Sequence, residues 1–140
     1  MSYLFDTNAV SESLRRKPNP SYVEWLRSLA PERQFTSIIV VAELYAGAYH
    51  SSAVEKWLDR IDNDILPTLT ILGFDLECAR EFGRIKAKLQ QMGRPIEDFD
   101  IQIAATAVRH RLVLVTANKE HFRRIPNLQL KTFSPGTHLA

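Results

Sequence analysis

Cysteine is almost missing from these 140 residues, where Cys78 stands alone. A single thiol excludes an internal disulfide framework and suits a reducing compartment. A soft-metal centre is also excluded, because one cysteine and four scattered histidines do not make a zinc site. No apolar run approaches the roughly 18 residues of a membrane span. The first residues lack a basic region followed by a long apolar stretch, so no signal peptide is expected. The expectation is a cytoplasmic protein with no membrane segment. Charge is not lopsided either: the formal net charge is +2 and the pI about 8.8. That excess is too small to argue for nucleic acid by itself, so the placement of the charges must decide. Internal repeats, low-complexity tracts and linkers are absent as well.

What is present is ordinary for a globular protein, with 45% apolar and 24% charged residues. The length suits one compact domain with a real core and is short for two, so residues 1–140 are expected to form a single domain. Tyr3 to Phe5 read as a first strand, followed by a helix from about Asn8 with Asn8 or Thr7 as its cap. In "NPSYVEWLRSLA", Asn19 caps a second helix and Pro20 suits its first turn. "QFTSIIVVAELYAGAYH" reads as a short strand near Phe35, a cap at Thr36 or Ser37, then helix. Val54, Trp57, Leu58, Ile61 and Ile65 repeat at helical spacing. Thr68 to Leu72 read as a strand, and Asp75 caps a helix that Gly93 ends. Asp98 then caps a helix running to about His110. Leu112 to Val115 and Leu128 to Phe133 complete the strands. Such alternation predicts an α/β fold with a parallel sheet covered on both faces. Cys78 reads as a small core residue and Trp57 as an apolar anchor in a core or subunit interface.

Three carboxylates lie among apolar residues. In "LFDTNAVSESL" Asp6 ends the first strand; Glu43 lies in "IIVVAELYAGA"; Asp100 lies in "DFDIQIAATAV" on the side of Ile103, Ala104 and Ala107. Burying an ionised carboxylate without a partner costs several kcal/mol or forces its protonation. Each acid alone has an ordinary explanation: Asp6 as a cap, Glu43 paired with a distant arginine, Asp100 serving the helix dipole. Three together point instead to hard oxygen ligands for Mg²⁺, with Mn²⁺ as a substitute.

"DTN" after the first strand, "AEL" in the third helix, "PIEDFDIQIAATA" and "LVTANKEHFRRIPNL" together resemble the PIN-domain ribonucleases, and among them the VapC-type toxins of bacterial toxin–antitoxin pairs. The likeness runs in order along nearly the whole chain. It implies a three-layer α/β/α fold with a short central parallel sheet, strand one central beside strand four and strand two on its other side. Strand order then reverses around strand one, where open α/β sheets bind ligands, and Asp6 stands at that point. The resemblance places Asp6, Glu43 and Asp100 on the acidic metal-binding positions, and Asn8 and Thr116 on polar positions around them. Asn118 takes the fourth acidic position as an amide. Three carboxylates cannot neutralise two divalent ions, so one well-held Mg²⁺ is expected, with any second ion arriving with substrate phosphate. Asp98 is a spare acid nearby, read first as a helix cap and otherwise as a fallback ligand.

The implied function is a Mg²⁺-dependent endoribonuclease, the toxin of a pair, which hydrolyses RNA by metal-activated water and is held inactive by a cognate antitoxin. A homodimer is also implied. Arg15, Arg16 and Lys17 after the first helix, and Lys119, His121, Arg123 and Arg124 after strand four, would flank the crevice. Arg15, Arg16, Lys119 and Arg123 are the candidate RNA contacts, against a solvated surface as the alternative. Arg80, Arg84 and Lys88 read as plain surface paired with Glu77 and Glu81. A competing function is a catalytically silent PIN-like module that binds RNA or protein, which Asn118 favours and the three acids oppose. A phosphoacceptor or phosphatase is disfavoured, because "DTN" lacks a second Asp in an Asp-x-Asp pattern.

Overall fold

The structure is a computed structural model that describes residues 1–137. Five parallel strands, β1 (Tyr3–Phe5), β2 (Gln34–Ser37), β3 (Thr70–Leu72), β4 (Val113–Thr116) and β5 (Leu130–Thr132), form one sheet in the order β3-β2-β1-β4-β5. The expected centre is therefore the observed one. Leu4 sits opposite both Phe35 and Leu114, and the Asp6 N–H extends the β1–β4 ladder to the Val115 carbonyl at 3.1 Å. Leu4, Phe5, Leu114 and Val115 are fully or nearly fully buried. Parallel strands covered on both faces need such continuous apolar runs rather than alternation.

The helices are α1 (Thr7–Glu12), α2 (Pro20–Ser28), α3 (Ile38–His50), α4 (Val54–Arg60), α5 (Leu76–Gln91), α6 (Asp98–His110) and α7 (Lys119–Phe122). Several caps are those expected. Asn19 accepts from the N–H groups of Ser21 and Tyr22, Ser37 from Ile39, and Asp75 from Cys78. Gly93 ends α5 with φ of 66°, a left-handed conformation that favours glycine.

Other local expectations need correction. Neither Thr7 nor Asn8 caps α1: Asp6 does, its Oδ1 accepting from the Ala9 N–H at 2.8 Å. Asp98 does not cap α6 either; Glu97 holds the cap position with no side-chain bond, and Asp98 is the first helical residue, paired with Lys86 at 3.0 Å. The helical stripe from Val54 to Ile65 is α-helical only to Arg60, then widens into a π turn over Ile61–Ile65. β3 starts at Thr70, because Leu66–Thr68 form a 3₁₀ turn.

Glu12 is a buried acid at the end of α1, 1% exposed. Its Oε2 accepts from the backbone N–H groups of Asn19 and Gly136, each at 2.8 Å, and Oε1 forms an ion pair with Arg15 Nε at 3.0 Å. A Cβ at Gly136 would stand 2.3 Å from the Lys17 carbonyl oxygen, so this close approach requires glycine. The clip fastens the tail to the α1–α2 connection. Cys78 is fully buried, as expected. Among the described residues no helix is long and apolar enough to cross a membrane.

Candidate active site

The reversal of strand order around β1 leaves a crevice at the carboxyl ends of β1 and β4. Asp6 enters it from β1, Asn8 from α1, Glu43 from α3, Asp100 and Ile103 from α6, and Asn118 and Phe122 from the segment after β4. Together with Thr7 these residues line one cleft of about 130 Å³. Four of its polar side chains, at positions 6, 43, 100 and 118, thus come from four separate stretches of chain. The sequence places them together only through the fold.

Asp6 is 5% exposed. Burial pushes its carboxyl up to about 6, against the downward pull of the Thr116 hydroxyl and the Ala9 N–H; the charges of Asp100 and Glu43 push it further up. Thr116 is itself fully buried and its Oγ1 accepts from the Asn118 N–H at 2.9 Å, which ties the end of β4 to the following turn. Glu43 is half-buried, and its Oε1 accepts from the Thr7 hydroxyl at 2.5 Å. Thr7 is therefore a site residue that reasoning from sequence treated only as a cap. Its position directly after the strand-end acid was the one available signal.

Asp100 is also half-buried, in the first turn of α6. Its Oδ2 lies 3.2 Å from His121 Nδ1, and the same ring nitrogen lies 2.8 Å from the Asn118 amide. His121 was expected only as part of a basic cluster. Its spacing of three residues from Asn118, which returns a side chain to the same face of a helical turn, was the signal that could have found it.

The remaining candidates fall outside the cleft. Asp98 points to Lys86 rather than to the other acids. Arg15 pairs with Glu12 and lines a neighbouring groove. Arg16 is exposed, as are Lys119 and Arg123, and Arg123 pairs with Glu120 at 3.1 Å. Arg84 pairs with Glu81 at 3.2 Å, as the plain-surface reading required.

The donor set suits a hard divalent cation: carboxylates and amides, no thiol, and a buried acid whose ionised form burial disfavours. Among the described residues, no three His, Cys, Asp or Glu side chains stand close enough to enclose an ion as they are. Thr7 holds one oxygen of Glu43 and His121 one oxygen of Asp100, each drawn to a wall of the cleft. Such an open arrangement fits Mg²⁺, which typically takes one or two carboxylates and keeps several waters. The cleft has the volume of about four waters.

Residues 3–128 match the family model described as PIN domain. Ribonuclease VapC2 of Haemophilus influenzae is 35% identical over 133 residues, covering 95% of this chain and 98% of that protein. The tRNA(fMet)-specific endonuclease VapC of Salmonella typhimurium is 30% identical over 131 residues, covering 94% and 97%. In three dimensions the chain is similar to VapBC2 from Rickettsia felis, solved bound to a DNA fragment from its promoter. There the TM-score is 0.88 at 33% identity, over 96% of this chain and all of that one. With the family model matching residues 3–128 and relatives matching almost end to end, the chain belongs to the PIN-domain family, and its relatives there include VapC ribonucleases.

Proposed function

We propose that the protein is a Mg²⁺-dependent endoribonuclease and the toxin of a type II toxin–antitoxin pair. One observation carries the reading: three carboxylates far apart in sequence line a single small cleft at the end of the central strand. Asp6, Glu43 and Asp100 would hold the ion, Asn118 would stand beside them as a neutral polar group, and Asn8 and Thr116 would support it. When bound, Mg²⁺ supplies Lewis-acid polarisation of a phosphoryl oxygen and a bound water of lowered pKa. The chain's own part is positioning. Thr7 fixes Glu43, the Ala9 N–H fixes Asp6, and Ile103 and Phe122 form an apolar wall that limits water. Carboxylates and amides line the cleft, a lining that through a bound cation would engage the phosphate backbone of RNA. Exposed Arg16, Lys119 and Arg123 are suited to the neighbouring phosphates, whereas Arg15 is committed to Glu12.

The antitoxin reading rests on a groove of about 430 Å³ beside the cleft, lined by Leu14, Leu44, Ala48, Trp57 and Ile61. Thr7 and Glu43 border both spaces, so a segment seated there reaches the acids. A homodimer and a cytoplasmic setting complete the proposal. The deciding experiment is gel-based cleavage of several RNAs by the purified protein in Mg²⁺, Mn²⁺ or EDTA. Cleavage is expected with either ion and none with chelator. A second reading, a silent PIN-like module, is favoured by the amide at Asn118; RNA binding without cleavage under every condition would establish it.

A further inference from the structure

We infer that His121 is a positioning residue that holds Asp100 through its Nδ1–H and thereby sets the affinity of the cleft for a divalent cation. The inference rests on the metal-dependent reading above and extends it to a residue outside the carboxylate set. His121 Nδ1 stands 3.2 Å from Asp100 Oδ2 and 2.8 Å from the Asn118 amide. A ring nitrogen carries at most one hydrogen. The Asn118 amide presents Nδ2 to that nitrogen. Exchanging its nitrogen and oxygen, which leaves the outline of the amide unchanged, makes both contacts attractive, with Nδ1–H pointing at the Asp100 carboxylate and Asn118 Oδ1 beside the same hydrogen. The pair then fixes Asp100 Oδ2 on the wall and leaves Oδ1 for the cleft. It also links the first turn of α6 to α7, two elements 21 residues apart at this contact. Hydrogen bonds of this kind orient metal-ligating carboxylates, and their loss typically lowers metal affinity by roughly 10- to 100-fold.

Geometry supplies a discriminating pair of variants. The amide nitrogen of Asn overlays His Nδ1, whereas that of Gln overlays Nε2. His121 sits on the half-exposed surface of a four-residue helix, so all three replacements below leave the core intact. The experiment is a Mn²⁺ titration of the full chain without RNA, with free Mn²⁺ read by electron paramagnetic resonance and each protein's melting in EDTA recorded alongside. His121→Asn is expected to bind within about threefold of the parent, while His121→Gln and His121→Ala bind about tenfold more weakly or worse. Equal affinity in all four proteins overturns the assignment and leaves the metal reading standing. Rescue by Gln but not by Asn overturns it in favour of a contact made by Nε2. A parent that takes up no Mn²⁺ overturns this inference and the metal reading together.

Discussion

Asp6 does two things with one carboxylate. Oδ1 starts α1 by accepting from the Ala9 N–H, and the same group presents its charge to the cleft beside Asp100 and Glu43. Sequence reasoning offered the cap and the ligand as rival explanations, and the geometry accommodates both. The double use has a thermodynamic cost. In the fold the carboxyl is raised from 3.8 to about 6, so the ionised form is the unfavourable one. The stability Asp6 contributes is complete below about pH 4 and is lost as pH rises through 6. A shift of about two units corresponds to about 3 kcal/mol at most. Asp6→Asn keeps the capping oxygen and removes the charge. In EDTA, urea unfolding of the variant should match the parent near pH 4 and exceed it by up to about 3 kcal/mol at pH 8. A constant difference across that range would show that the buried charge of Asp6 is not what the fold opposes.

Between residues and the whole chain, what was legible depended on where a partner sits. Asn19, Ser37 and Asp75 cap helices through N–H groups two or three residues ahead, so their roles show in the local pattern. Asp98 carries the same residue type but faces Lys86 on another helix, and pattern alone could not separate the two uses. The π turn at Ile61–Ile65 escaped because Ile61 and Ile65 are both buried in it, as they would be in a continued α-helix. Glu12 was invisible for a stronger reason. Its donors are the backbone groups of Asn19 and Gly136, and a backbone donor 124 residues away leaves no side-chain signature. Removing the carboxylate strands two part-buried N–H groups and the Arg15 charge, so Glu12→Ala should cost about 2 to 3 kcal/mol in urea unfolding. A loss below about 1 kcal/mol would mean that the tail clip contributes little to holding α1, the α1–α2 connection and the tail together.

At the scale of the molecule, the sheet order does the assembling. Strand alternation predicted a parallel sheet, and the family resemblance predicted β1 at its centre; both are found. Because β2 and β4 flank β1 on opposite sides, α3, α6 and the turn before α7 all end their approach at one crevice. Acids at positions 6, 43 and 100 could be suspected singly from their apolar settings, but their convergence is a property of this topology. Thr7 and His121 were not legible as site residues, since each acts by holding another side chain. The central claim is that the three acids act as one cation site, and its consequence is a coupling between metal binding and folding. The most direct measurement is the rise in melting temperature on replacing EDTA with Mg²⁺, taken for the parent and for Asp100→Asn at the same salt and pH. The account predicts a clear rise in the parent and a smaller one in the variant, whose metal-free melting temperature is no lower than the parent's because a repelling charge has gone. An equal Mg²⁺-induced rise in the two proteins would contradict it.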